Sequence, residues 1–151
     1  MEQNAAFDAV REAFDLMGDW EDRYAYLIDL GRHLPAYPDA ARDAAHLVPG
    51  CTAQVWMTHH WEKSPRGDRL MMDVDSDALL VKGLLAVLMA RYNGLTAVEI
   101  MAPDADPHTV FGPLALAGHL SPNRRNGFFA VASRIRQLAA ASLPERTAAP
   151  R

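Results

Sequence analysis

Residues 47–75 read LVPGCTAQVWMTHHWEKSPRGDRLMMDVD, and the spacing of hydrophobic residues changes inside this stretch. Ahead of it, apolar residues recur every three or four positions. After Pro49-Gly50 the period is two. Ala53, Val55, Met57 and Trp61 fall on one face and Gln54, Thr58 and His60 on the other, with Trp56 as the exception. Leu70, Met72 and Val74 then alternate with Arg69, Asp73 and Asp75, and Lys63-Ser-Pro-Arg-Gly-Asp68 between the two runs suits a turn. The spacing predicts a β-hairpin set into an otherwise helical chain.

Upstream, Phe7, Val10, Phe14 and Met17 predict an amphipathic helix that ends at Gly18. Asp19 is placed to cap a second helix, whose stripe of Trp20, Tyr24, Leu27, Ile28 and Leu34 runs until Pro35 stops it. Pro38 and Asp39 open a short helical stretch to about Ala45. Downstream, Ser76 or Asp75 is expected to cap a helix from about residue 77 to Asn93, closed by Gly94. This helix is apolar nearly all round, which marks it as the central buried one. Thr96-Ala-Val-Glu99 is a capping box for a short helix limited by Pro103, and another short helix is expected after His108 up to Gly118. Ser121-Pro122 starts a last helix running to about Ala141. The fold class is therefore α+β: a small antiparallel β-sheet with helices packed on one face. Residues 1–141 are expected to form a single domain, and residues 142–151, rich in Ala and Pro, a flexible C-terminal tail.

The 151 residues are half hydrophobic and under a quarter charged, a globular composition. A net charge of −4 gives no basic surface for nucleic acid. The longest apolar stretch, 78–90, is interrupted by Lys82 and Gly83 and is too short to span a bilayer, so no membrane partner is expected. A single cysteine and no signal peptide ahead of the first helix favour a cytoplasmic setting.

Few residues offer chemistry. Gly-rich phosphate loops, GxGxxG and HExxH are absent, and His33, His46, His59, His60, His108 and His119 form no metal-binding spacing. His59 and His60 are neighbours on a strand and point to opposite faces. No cofactor and no metal site is expected. Asp75 and Asp77 at a helix start need no more than a favourable place in the helix dipole. Cys51 is different. Pro49-Gly50 fits the central positions of a type II turn, because proline fixes φ and glycine accepts positive φ. Cys51 takes the last position of that turn, whereas structural cysteines more naturally sit inside helices and strands. If the extended backbone reaches back to Cys51, its side chain shares the apolar face of Ala53, Val55 and Met57, and the thiol is sheltered. Arg124 and Arg125 sit in the first turn of the last helix, where the dipole disfavours cations, and Gly127 inside that helix suggests close packing against another segment.

Together these segments resemble the SufE family of sulfur-acceptor proteins. Asp19-Trp-Glu-Asp-Arg-Tyr-Ala-Tyr-Leu-Ile-Asp-Leu-Gly31 with Leu34-Pro35 resembles the family's second helix, and Val48-Pro-Gly-Cys-Thr-Ala-Gln-Val-Trp56 its cysteine loop. Asp75-Ser-Asp-Ala78 with Val81-Lys-Gly-Leu84 resembles its central helix, and Leu120-Ser-Pro-Asn-Arg124 with Asn126-Gly127 the start of its last. The match covers roughly residues 16–140 in order. It implies a fold like that of the IscU-type scaffold. It also implies a sulfur carrier that accepts persulfide sulfur from a pyridoxal-phosphate-dependent cysteine desulfurase, stimulates it, and delivers sulfur to a downstream iron–sulfur scaffold complex. Such a carrier is an accessory protein rather than a stand-alone enzyme. The family cysteine maps to Cys51 and the arginine after the Ser-Pro turn to Arg124. Gly50, Gln54, Asp75 and Lys82 are candidates for lining the loop or the partner surface. A lone thiol suits the task, since a second one nearby would resolve the persulfide as a disulfide. Two other readings are a non-catalytic interaction module in which Cys51 only packs, and a carrier for a different sulfur-accepting pathway.

Overall fold

A computed structural model describes residues 5–144. The chain runs through α1 (Ala5–Leu16), α2 (Trp20–Arg32), the hairpin β1 (Val55–Glu62) and β2 (Arg69–Ser76), then α3 (Leu79–Tyr92), α4 (Ala97–Met101), α5 (Pro107–Phe111) and α6 (Pro122–Ser142). The α+β expectation holds, and the sheet consists of the one antiparallel pair.

The register joins Val55 to Ser76, Met57 to Val74, His59 to Met72 and Trp61 to Leu70. Val55, Met57, Leu70, Met72 and Val74 are buried, as the alternation requires, and they join a hydrophobic core with α1, α3 and α6. Trp56, the exception to the pattern, lies on the other face opposite Asp75. There its ring covers the Arg42 guanidinium at 5.6 Å.

Helix α3 is the spine. Gly83, Leu84, Leu85, Val87, Leu88, Arg91 and Tyr92 are all buried, which explains why its sequence is apolar nearly all round. Its contact with α2 is unusually close. A Cβ built on Gly83 would lie 2.1 Å from the Leu27 carbonyl oxygen, and one on Gly31 would lie 2.6 Å from the Gly83 nitrogen. Only glycine lets these two backbones touch. At the far end of α3 the buried Tyr92 hydroxyl donates to the Ala105 carbonyl at 2.5 Å, and burial pushes its pKa up to about 12.

Several boundaries differ from the sequence reading for local reasons. Asp19 caps α2 by accepting the Asp22 N–H at 2.9 Å, but the helix ends at Arg32. The stretch after Pro38 is two 3-10 turns, Asp39–Ala41 and Ala44–His46. Neither Ser76 nor Asp75 caps α3, because β2 continues through both in extended conformation. The N-cap is Ala78, which has no side-chain cap. Ser76 Oγ accepts the Ala78 N–H at 3.2 Å, while the Asp75 carboxylate is held by Arg42 and Lys82. Gly94, with φ of 85°, closes α3 as expected. The capping box Thr96–Glu99 is formed on both sides. The helix expected after His108 begins at Pro107 and stops at Phe111, followed by the 3-10 turn Gly112–Leu114 and Ala115 in the left-handed region at φ 58°. The last helix continues to Ser142, the first residue of the expected tail, and residues 145–151 of that tail lie outside the described residues.

Candidate functional site

The turn after Val48 is built as expected: Gly50 has φ of 92°, open to glycine and strained for other residues. A Cβ there would also approach the Ala130 Cβ to 3.1 Å. The strand begins only at Val55, because the chain bends at Thr52 and Ala53. Continuous strand parity therefore does not orient Cys51. The thiol is half-buried for another reason: the turn lays it against α6. Cys51 Sγ lies 3.7 Å from the Gly127 carbonyl oxygen, a long sulfur hydrogen bond. A Cβ on Gly127 would sit 3.6 Å from Sγ and 3.7 Å from the Cys51 Cα. The segment against which Gly127 packs is the cysteine turn.

The turn closes one wall of a cleft of about 370 Å³. Val81, Leu84, Leu85 and Leu88 of α3 and Phe128 and Val131 of α6 form its apolar walls. Arg124 stands on its rim at the first turn of α6, where Ser121 Oγ accepts the Arg124 N–H at 3.3 Å. Arg124 is exposed and joins none of the ion pairs among the described residues. Its neighbour Arg125 instead donates to the Ala117 carbonyl at 3.3 Å. Burial pushes the Cys51 thiol pKa up. Burial thus favours the protonated thiol at rest, in a cleft whose lining also includes Arg124.

The remaining candidate residues lie elsewhere. Gln54 is exposed, and its backbone N–H donates to Asp77 Oδ1 at 3.1 Å, tying the base of the loop to the start of α3. Asp75 and Lys82 do not line the cleft. Asp75 is buried on the opposite face of the hairpin, bonded to Arg42 and 3.4 Å from the Lys82 ammonium. Arg42 also binds Asp39 at 3.1 Å and lies 5.2 Å over the Tyr37 ring. Burial opposes the charged form of Asp75, but the Arg42 hydrogen bond and the Lys82 charge outweigh it and hold the carboxyl below its ordinary range. These residues brace the hairpin base. Of the candidate residues, Cys51 and Arg124 both line the cleft, and Gly50 forms the turn that carries Cys51.

The apolar walls of the cleft escaped the sequence reading, which counted α3 as simply buried. The signal was present in a helix apolar on every side and in a glycine inside α6. Three of the six histidines take local roles: His119 stacks on Trp20 at 4.0 Å, His108 on Phe129 at 4.2 Å, and His46 bonds Asp43 at 2.6 Å.

A family model described as SufE, an Fe–S metabolism associated domain, matches residues 8–139. The chain belongs to the SufE family. An uncharacterised SufE-like protein of Rhizobium etli is 38% identical over 133 residues, covering 88% of each chain. Another, from Rhizobium meliloti, is 37% identical over 139 residues, covering 92% of this chain and 98% of its own. Among solved structures, a hypothetical protein from Thermus thermophilus, determined in solution, aligns with a TM-score of 0.65. The alignment covers 91% of this chain and 95% of that one at 17% identity, and so it speaks for the fold alone. Membership ties this SufE domain to Fe–S metabolism. No described helix is long and apolar enough to cross a membrane.

Proposed function

We propose that this protein is a sulfur acceptor that takes persulfide sulfur from a cysteine desulfurase onto Cys51, stimulates that enzyme by removing its product, and delivers the sulfur to iron–sulfur cluster assembly. The observation that carries the reading is the lone thiol on a glycine-dependent turn, at the mouth of an apolar cleft with an uncommitted arginine on its rim.

The chemistry balances without a further oxidant. The Cys51 thiolate attacks the outer sulfur of the partner's persulfide, a new S–S bond forms at Cys51, and the partner's inner S–S bond breaks. The partner cysteine leaves as a thiolate and takes up the proton that Cys51 lost. Attack requires the thiolate, and burial keeps Cys51 protonated at rest. The sheltered state is thus the protected one, and docking of the desulfurase turns the thiol outward and activates it. Arg124, standing free on the rim, is suited to stabilise the thiolate or to meet a carboxylate of the partner. The cleft walls exclude water from the persulfide. Gly50 permits the turn, and Gln54, Asp75 and Lys82 act behind it as supports for the loop. A reducing cytoplasmic setting, which keeps a lone thiol free, suits such a carrier.

Intact-protein mass spectrometry after incubation with a cysteine desulfurase and cysteine tests the reading. The expected result is a gain of one sulfur atom that a thiol reductant reverses. No adduct, with desulfurase turnover unchanged by the protein, would mean that Cys51 only packs.

A further inference from the structure

The far end of α3 carries a second cleft, of about 490 Å³, that shares no residue with the cysteine site. Arg91 lies in its wall, ten residues after Val81 and so about 15 Å along the helix axis. Arg91 is only 9% exposed, yet no ion pair or side-chain hydrogen bond to it is found among the described residues. Its guanidinium lies 5.4 Å from the centre of the Tyr92 ring. Its nitrogens are not sealed in, since the one fully buried and unpartnered side-chain nitrogen or oxygen among the described residues belongs to Arg136. The guanidinium therefore opens to the cleft. A buried arginine without a carboxylate costs stability, and such groups are ordinarily paired.

Carboxylates outnumber cations around this cleft: Asp8, Asp15 and Asp104 line it with Arg11 and Arg91. Asp15 and Asp104 line it without an ion-pair partner among the described residues, while Asp8 is engaged by Arg11 at 3.7 Å. The floor is apolar, formed by the buried Phe7, Val110 and Leu114. Each feature selects against a simpler ligand. The planar fork of Arg91 fits a carboxylate. The aspartates repel a phosphate dianion, and they repel a bare carboxylate as well unless a cation accompanies it. An ammonium close to the carboxylate satisfies both, and an aliphatic side chain fills the floor. We infer that this second cleft binds a free zwitterionic α-amino acid with an apolar side chain, its carboxylate on Arg91 and its ammonium toward Asp104 and Asp15.

Calorimetric titration of the full chain with L-leucine tests this, alongside isocaproate, which lacks the ammonium, isoamylamine, which lacks the carboxylate, and inorganic phosphate. Saturable leucine binding is expected, with each single-charge analogue at least about tenfold weaker. Arg91→Met should abolish the binding while leaving Tm unchanged or raised, because it removes an unpaired buried charge. The proposal is overturned by absence of leucine binding at millimolar concentration, by tighter binding of phosphate or isocaproate, or by a marked drop in Tm for Arg91→Met, which would make Arg91 a structural residue. The inference is independent of sulfur transfer, and Cys51→Ser should bind leucine as the wild type does.

Discussion

The two faces of the hairpin base are made on opposite plans. On the outer face, Asp75 is closed in by Arg42 and Lys82, Arg42 is shared with Asp39, and Tyr37 and Trp56 cover its guanidinium. Its charges meet partners of opposite sign. On the inner face, Cys51 has one long hydrogen bond, Arg124 has no ion-pair partner among the described residues, and the walls are aliphatic and aromatic. The contrast separates bracing from the proposed function. Groups already satisfied hold the backbone in place, and groups left unsatisfied are available to react or to bind.

The largest effect should come from Cys51→Ser. Sulfur uptake from a desulfurase disappears, while stability changes by less than about 1 kcal/mol because the exchange is nearly isosteric and the site is half open. Transfer of labelled sulfur to the serine variant would break the division between the faces. Asp75→Ala should do the reverse, lowering stability by about 2 kcal/mol in denaturant titration. That is less than the roughly 3–5 kcal/mol for fully buried pairs, since Arg42 and Lys82 stay about a third exposed. The same carboxyl has a depressed pKa, so its contribution is present above its ordinary value near 3.8 and is lost as pH falls through the lower folded value. The stability gap between wild type and Asp75→Asn should therefore close only in strong acid.

Arg124→Ala should reduce the rate of sulfur uptake about tenfold, with a steeper loss at low salt, and leave Tm unchanged. If uptake does not alter, the arginine is merely solvated. Alkylation of Cys51 by iodoacetamide should reach half its limiting rate above the ordinary thiol value of 9.0, since burial favours the protonated form, and a desulfurase should accelerate it at neutral pH. Fast labelling without the partner would show that the thiol is not sheltered. The smallest change is expected from Gly127→Ala. A methyl there meets Cys51 at ordinary contact distance, so stability should rise by up to about 1 kcal/mol from helix propensity, and labelling should slow.

The hairpin was legible because period two and period 3.6 leave different signatures, and both Val55–Met57 and Leu70–Val74 show theirs over several residues. The caps Asp19, Thr96 and Ser121 were equally readable, being local. The start of α3 was not, because Asp75 and Ser76 suit a cap by type and only the distant Arg42 shows where the carboxylate goes. The turn holding Cys51 could be read from Pro49-Gly50, but the α6 wall against it could not, since nothing local ties residue 51 to residue 127. The close approach of Gly31 and Gly83 is likewise a fact of two helices together.

A two-stranded sheet has two edges, and here the chain itself occupies part of both. Along β2, Leu70 N–H donates to Leu95 O at 2.8 Å, Gly94 N–H to Leu70 O at 2.7 Å, and Met72 N–H to Asn93 Oδ1 at 2.7 Å. Along β1, Val48 N–H donates to Val55 O at 2.9 Å, so the segment that carries the cysteine turn also covers the base of its own strand. Where an edge is occupied in this way it offers no template on which another copy could add a strand. On the proposed reading, a turn that swings out to meet a desulfurase would bare the base of β1 while it does so. Release of the thiol and a transient risk of aggregation would then be tied to the same Val48–Val55 backbone hydrogen bond.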